Sequence, residues 1–490
     1  MNSTDLANPS TTLDTLIVGA GITGLSLAQA LQQDRKRGRQ SGQILLTESQ
    51  ERVGGRIVTQ SQDGFLWEEG PNSCLPTPEF LKLAVDVGLK DELVLADRRL
   101  PRYVYLQGEL IPVPMSPPAF FQTKLLSDWG KLRAIAGALG FVPPAIGATL
   151  SAQGDEETVA QFFGRHLGQE VLERLVQPFV SGVYAGDPNQ LSASAAFGKV
   201  TKMADIGGGL AAGAILSLAK NGRAKKTVDP SLPKVQRGEL ASFRQGLEAL
   251  PKAIAAQLGD VVKLGWHLIQ IKPTEHQTYL AEFSTPQGPA RIETRSMVLT
   301  TPSYVSADLL ANLCPVASQG LAKIPYPAVA CVVLGYPESA FKTSVSSGFG
   351  NLIPRGQGIR TLGTIWSSSL FPNRAPAGWR LLLNFIGGTT DLAIAQLSQE
   401  EIVQIVHRDL QKTLLKQDIP PKVLAVHLWK RAIPQYPLGH HQNLAQIHHS
   451  LQQRPGLFLC GNYTDGVAVG DCIRRGQECA ADVVKYLDQG

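Results

Sequence analysis

Between Thr15 and Glu48 the chain runs strand, glycine turn, helix, strand, and this order narrows the fold more than any other feature. A short apolar run, Thr15-Leu16-Ile17-Val18, leads directly into Gly19-Ala20-Gly21-Ile22-Thr23-Gly24. LSLAQALQQ follows as a helix, and a basic polar loop, QDRKRGRQSGQ, reads as a solvated connection. Ile44-Leu45-Leu46-Thr47-Glu48 is then a second buried strand ending in a carboxylate. Together they form the βαβ unit that opens a doubly wound α/β sheet.

The glycines of this unit have separate tasks. Gly19 makes the tight turn, Gly21 lets backbone N–H groups approach a pyrophosphate, and Gly24 lets helix pack on strand. The helix N-terminus adds partial positive charge where phosphates would sit. Glu48, 24 residues past Gly24, can hold both ribose hydroxyls; the basic loop accounts for the long spacing. A carboxylate there repels a 2′-phosphate, which disfavours NADP.

Composition removes several other classes. The formal charge of +5 over 490 residues is too mild for a nucleic-acid partner. Cys74, Cys314, Cys331, Cys460, Cys472 and Cys479 make no C-x-x-C pair and no zinc spacing, so no metal site is expected. They read as buried thiols in a reducing compartment. Met1 to Asp14 lacks signal or transit character, so the expected location is the cytoplasm or its membrane surfaces. Residues 134–154 carry no charge over 21 positions, long enough to span a bilayer, but Pro143-Pro144 and small polar residues argue against a span. A second uncharged stretch, 206–219, is too short to span.

Further along, residues 78–100 read as helix and 101–114 as a hairpin turning at Gly108. Residues 115–225 are rich in Gly, Ala and Pro with helical patches, among them one continuous amphipathic helix at 158–180. From about 260, short β-rich runs dominate, up to WRLLLNFIGG at 379–388. A helix at 398–417 and a strand at 423–436 follow. The chain closes with strand, glycine turn and helix in GLFLCGNYTDGVAVGDCIRRGQECAADVVKYL.

After Glu48, Gly54 and Gly55 permit backbone approach to a diphosphate and Arg56 offers it a cation. E-x-x-x-x-x-G-G-R is the second half of an FAD signature, and here the chain resembles the amine-oxidase-like flavoproteins. The closing Gly461-Asn462-Tyr463-Thr464-Asp465-Gly466 and Val467-Ala468-Val469 resemble the segment that approaches ribityl chain and isoalloxazine there. Strand 262–271 resembles the one lending backbone to the adenine side, at about Leu268. Within that superfamily, residues 13–487 resemble the oxygen-dependent protoporphyrinogen oxidases of the cyanobacterial and plant-like type. The carrying motifs are Glu69-Gly70-Pro71-Asn72-Ser73, PRYVYLQGELIPVP, GVYAGDP at 182–188, GFGNLIP at 348–354, LFPNRAP, NFIGG and GNYTDGVAVGDCI.

The resemblance implies a Rossmann-like FAD-binding domain, a β-rich substrate domain and an inserted helical membrane-associating lobe. The expected segments are 13–95, 226–300 and 436–490 for FAD, 96–114 and 301–435 for substrate, and 115–225 for the lobe. It implies that Arg102 pairs with a substrate propionate, Phe385 packs over one pyrrole ring, and Leu352 and Ile365 sandwich another. Gly182 turns its backbone to the pocket. FAD is bound without a covalent link. The macrocycle of protoporphyrinogen IX gives hydride to flavin N5, dioxygen reoxidises the flavin, and three rounds yield protoporphyrin IX and three hydrogen peroxide. This is the penultimate step of haem and chlorophyll synthesis. A homodimer at a peripheral membrane surface, sensitivity to diphenyl-ether-type herbicides, and hand-over to a ferrochelatase or magnesium chelatase follow from the same resemblance. No catalytic base is named.

Physical chemistry agrees with those roles. A large apolar macrocycle with carboxylate arms wants an aliphatic and aromatic pocket with few polar anchors. The cofactor carries the redox chemistry, so no acid–base triad is required. Four rivals stand beside this reading. A coproporphyrinogen III oxidase would show extra cations at the pocket. An amine oxidase would favour an acidic pocket, and a carotenoid desaturase would need no arginine. A catalytically silent flavoprotein would bind FAD without turnover.

Overall fold

The computed structural model describes residues 12–36, 42–143, 156–207, 209–211, 213, 229–345 and 347–489. Most of the two uncharged stretches and the centre of the basic loop lie outside them.

The strand Leu13–Val18 is the centre of a seven-stranded sheet. Ile44–Thr47 pairs with it in parallel on one side and the end of Gly288–Leu299 on the other. Val262–Lys263 extends the sheet beyond Ile44–Thr47, and Leu457–Leu459 pairs in parallel with Gly288–Leu299. His267–Pro273 and Tyr279–Thr285 run into Gly288–Leu299 as an antiparallel meander. The strand is buried on both faces because helices cover both. Ile17 points into one core with the helices Ile22–Lys36, Pro78–Asp86, Ala249–Leu258 and Val469–Leu487. Leu16 and Val18 point into the other, with Ser303–Leu310, Pro315–Ala322 and His440–Leu451. This is the doubly wound arrangement the opening βαβ unit predicts.

A second seven-stranded sheet is antiparallel except at one pair. Its order is Lys422–Trp429, Val329–Pro337, Trp379–Gly387, Thr361–Trp366, Gly350–Leu352, Arg102–Leu106, Glu109–Pro112. The last two strands are the expected hairpin. Gln107 and Gly108 both have positive φ (51° and 91°), the turn whose twist suits a two-residue connection. One face of this sheet packs on the helix Gln399–Thr413 through Val332, Leu334, Leu382 and Ile386 against Ile402, Val406 and Leu410. That helix starts in a capping box, Ser398 with Glu401. The opposite face meets Phe65 and Trp67 from the hairpin Thr59–Gln62 and Phe65–Glu68.

Between the two sheets in sequence lies the helical segment, including Pro117–Gln122, Asp128–Ala138, Val159–Leu167 and Gln177–Tyr184.

Three expectations need correction. The amphipathic helix of 158–180 is broken at Gly168, whose φ of 89° ends Val159–Leu167; a Cβ there would lie 2.7 Å from Arg133 Cγ. The helix expected at 78–100 stops at Asp86, before Gly88 (φ 78°), and Leu93–Ala96 is instead a strand paired with Leu240–Phe243. The segment of the second sheet expected from 301 begins nearer residue 328. The helices Ser303–Leu310 and Pro315–Ala322 bury Ala307, Leu310, Ala317 and Leu321 under the first sheet.

Candidate active site

The first glycine turn is built as its sequence demands. Gly19 has φ 108°, its N–H reaches Thr47 O at 2.7 Å, and Thr300 Oγ1 donates to Gly19 O at 2.7 Å. A Cβ on Gly24 would lie 2.0 Å from Gly19 O, so only glycine lets the helix sit this close to the strand. A Cβ on Gly21, by contrast, would meet nothing within 4 Å. Gly21 therefore borders open space, where Gly24 is held by protein packing. Gly54 and Gly55, at φ 100° and 58°, lie against the same turn: Gly54 N–H donates to Ala20 O at 2.8 Å, and a Cβ on Gly55 would lie 3.3 Å from Gly21 Cα. Glu48 Oε2 accepts the Ala20 N–H at 2.8 Å, and Oε1 accepts the Gln50 N–H at 3.0 Å. The carboxylate is thus fixed beside the turn at the strand end. Two glycine turns, a fixed carboxylate and a helix N-terminus facing open space fit a dinucleotide.

Three other sequence candidates complete this region differently. Arg56 donates to Arg431 O at 2.6 Å and to Tyr304 Oη at 3.2 Å, with its guanidinium 4.4 Å from the Trp429 ring centroid. Leu268 is buried in the core of the first sheet opposite Phe283. Its strand is tied to the end of the Glu48 strand by the Trp266 N–H, which donates to the backbone Glu48 O at 2.8 Å. The C-terminal turn docks on the same sheet edge, with Cys460 N–H on Leu299 O at 3.0 Å. Gly461 faces the buried Tyr463 ring, Val467 and Ala468 lead into the helix Val469–Leu487, and Val469 is buried against the first helix's core.

The substrate candidates gather on one face of the second sheet. Register places Val104, Leu352, Gly363, Phe385, Cys331 and His427 in one row across six strands. The next row along the strands holds Arg102, Gly350, Ile365 and Leu383. Side chains two apart share a face, so Arg102, Leu352, Ile365 and Phe385 all project from the side opposite the helix Gln399–Thr413. Leu352, Ile365 and Phe385 are half-buried among otherwise buried neighbours. The alternate face carries the buried polar set Asn351, Thr364 and Asn384, with Thr364 Oγ1 on Asn384 Oδ1 at 2.8 Å and Trp366 Nε1 on Asn351 Oδ1 at 3.1 Å. Gly182, on the helix Gln177–Tyr184, covers Leu352: a Cβ there would lie 2.3 Å from Leu352 Cδ2. Arg102 is half-buried, spends one N–H on Gly238 O at 3.3 Å and lies 5.2 Å from the Phe349 ring centroid.

Several residues of this region escaped the sequence reading. Arg52 donates to Gly55 O at 2.6 Å and Val53 O at 3.1 Å, so it staples the second glycine turn. Only its place two residues before the glycine pair could have signalled it. Gly363 lies between Leu352 and Phe385 in that row and its missing side chain leaves room for Leu352, since a Cβ there would lie 2.9 Å from Leu352 Cδ2. His427 pairs with Glu69 at 3.0 Å on the same face, a contact 358 positions apart in sequence (427 − 69). Asn72 is buried, and its Nδ2 has no partner.

The site can be compared with known proteins. The family described as flavin containing amine oxidoreductase matches residues 22–484. Protoporphyrinogen oxidase 1, chloroplastic, of Arabidopsis thaliana is 46% identical over 489 residues, covering 98% of this chain and 89% of the relative. Coproporphyrinogen III oxidase of Bacillus subtilis is 30% identical, covering 96% and 98%. A crystal structure from Exiguobacterium sp. 255-15, provisionally named a protoporphyrinogen oxidase, superposes with a TM-score of 0.77 at 23% identity, covering 97% and 99%, and shows the same fold. FAD is the cofactor of this family, and the open space beside the two glycine turns fits it. On this match and this geometry, the chain belongs to the flavin containing amine oxidoreductases, in their protoporphyrinogen oxidase branch.

Proposed function

We propose that the protein oxidises protoporphyrinogen IX to protoporphyrin IX with bound FAD and dioxygen. The observation that carries this is the single sheet face bearing Arg102, Leu352, Ile365 and Phe385, with Gly363 recessed between two of them. Bound FAD supplies a two-electron acceptor that dioxygen regenerates, with three rounds and three hydrogen peroxide per macrocycle. The chain's part is to bind and orient. Leu352, Ile365 and Phe385 offer apolar surface to a large macrocycle and displace water from it. Arg102 keeps donors free beyond its Gly238 contact, and a guanidinium matches a propionate bidentately. The helix Gln177–Tyr184 closes the face from above, its Gly182 leaving Leu352 room.

The helical segment supports a further part of the reading, association with a membrane surface at the cytoplasmic side. Met115, Phe121, Trp129, Leu132, Leu139 and Phe141 are all more than half exposed. Exposed aromatic and aliphatic side chains concentrated in one segment favour an interfacial surface. Among the described residues no helix is long and apolar enough to cross a membrane.

A second reading, coproporphyrinogen III as substrate, has one observation in its favour. Gly238, which takes the Arg102 bond, follows Arg237, and a Cβ on it would lie 4.0 Å from Arg98 Cβ. Three arginines at one corner could serve more carboxylates than protoporphyrinogen carries. The test is the purified protein under air with each porphyrinogen in parallel, following porphyrin fluorescence and hydrogen peroxide. Faster protoporphyrin formation, above the autoxidation blank, is the expected result. Preference for coproporphyrinogen moves the assignment to the second reading, and turnover of neither removes both.

A further inference from the structure

The segment Gln435–His440 touches both halves of the site, although no cofactor or substrate role falls on it from the sequence. Tyr436 is 2% exposed. Its hydroxyl donates to Asn462 O and accepts the Gly466 N–H at 3.2 Å. It therefore spans the turn between Gly461 and Val467, the two flanks read above as cofactor contacts. The ring is held in place by stacking on His440, with centroids 4.5 Å apart and planes 19° apart. His440 Nε2 reaches Tyr463 O in the same turn at 2.9 Å. Gly466 has φ 126°, so this turn has no helix or ladder of its own to fix it.

The neighbouring residue faces the other way. Gln435 Nε2 donates to Tyr184 O at 2.8 Å, satisfying a carbonyl at the end of the helix that carries Gly182. Ser192 N–H donates to Tyr436 O at 2.8 Å, and Glu156 Oε2 accepts the Gly439 N–H at 2.7 Å. The helical segment that covers the substrate face and the turn that closes over the cofactor are thus tied to adjacent residues of one strap.

We propose that Tyr436 is a positioning residue for FAD, and that through Gln435 beside it the cofactor turn is coupled to the helix covering the substrate face. The substrate half of this inference rests on the porphyrinogen reading above. Coupling of this kind is reciprocal: a ligand that orders the helix should tighten FAD, and FAD should tighten that ligand.

The experiment measures FAD binding to apoprotein by flavin fluorescence quenching, with and without protoporphyrin IX, for the parent, Tyr436→Phe and Gln435→Met. Tyr436→Phe keeps the ring stack and removes only the hydroxyl. It should weaken FAD about tenfold, in line with two lost hydrogen bonds, while the apoprotein still folds and melts cooperatively, a little below the parental temperature. Porphyrin should tighten FAD in the parent by about fivefold or more. In both variants that ratio should fall toward one. FAD affinity of Tyr436→Phe within twofold of the parent overturns the positioning role. A porphyrin effect equal in parent and variants, or missing in a parent that binds porphyrin, overturns the coupling. A parent that does not bind porphyrin at all refutes the substrate reading instead, and the FAD affinity of Tyr436→Phe still decides the positioning role. If Tyr436→Phe does not fold, the rate of flavin release from the parent holoprotein answers the coupling half: no slowing by bound porphyrin overturns it.

Discussion

Two glycines three residues apart in one motif behave oppositely once their surroundings are known. Gly24 is forced by backbone 2.0 Å from where a Cβ would stand, whereas Gly21 has open space. Gly24→Val should therefore fail to fold, and Gly21→Val should fold but purify without flavin absorbance. A yellow, fully loaded Gly21→Val protein would overturn the cofactor reading of the turn. The Arg102 side chain is equally separable from the fold, since among the described residues its one hydrogen bond goes to Gly238 O. Arg102→Ala should keep FAD and raise KM for protoporphyrinogen about 10–100-fold, the value of a charge-assisted bond. An unchanged turnover at subsaturating substrate would remove the propionate role. The conformations of Gly19 and Gly24 and the place of Glu48 at its strand end were legible because each is local to one βαβ unit. Arg56 was legible only as a cation; its Trp429, Tyr304 and Arg431 partners come from distant strands and helices.

At the scale of elements, the two terminal helices hold the cofactor domain together. Ile22–Lys36 and Val469–Leu487 cross at Gly476, where a Cβ would lie 2.5 Å from Thr23 O. Gly476→Val should push these helices apart and destabilise the protein by ~1–3 kcal/mol, read as a lower urea midpoint. Since Val467 and Ala468 precede that helix, flavin should also be lost more easily from this variant than from the parent. Strand positions were well marked by apolar runs, and the hairpin at Arg102–Pro112 by its Gly108. The break at Gly168 was not, because the apolar period continues across it. What ends the helix is a positive φ and the approach of Arg133 from another helix. Leu93–Ala96 was likewise read as helix, since its strand character depends on a partner nearly 150 residues away.

At the scale of the molecule, the joint between the sheets contains a buried charge pair. Glu68 and Arg374 are each 1% exposed and 4.0 Å apart. Burial pushes the Glu68 carboxyl from its ordinary 4.5 up to about 7, against the opposing pull of its Thr59 and Leu247 hydrogen bonds and of Arg374. The native protein thus holds a proton that the unfolded chain releases between those values, and stability falls as pH rises through that window. The loss is at most about 3 kcal/mol. Comparing thermal unfolding of the parent and Glu68→Gln from pH 4.5 to 8 should show the variant lacking this slope; parallel profiles would refute it. The exposed patch of the helical segment makes a separate prediction. Trp129→Glu with Phe141→Glu should cut binding to anionic liposomes several-fold, while FAD content in solution stays at the parental level. Undiminished liposome binding would count against the membrane surface.

The sequence alone determined the doubly wound first sheet, its glycine turns and the carboxylate that ends its second strand, because short-range rules govern each: a period of two or 3.6, a turn needing glycine, a carboxylate at a strand end. It also supplied, by resemblance, the identities of Arg102, Leu352, Ile365 and Phe385. Only the tertiary structure decided that these four share a face. That outcome depends on strand register between segments hundreds of residues apart, and a slip of one residue would turn a strand's side chains to the buried face. The strap through Gln435 and Tyr436 belongs to the same class: the bonds that tie it to the C-terminal turn and to the helix Gln177–Tyr184 join elements distant in sequence, so nothing local in the chain announces them.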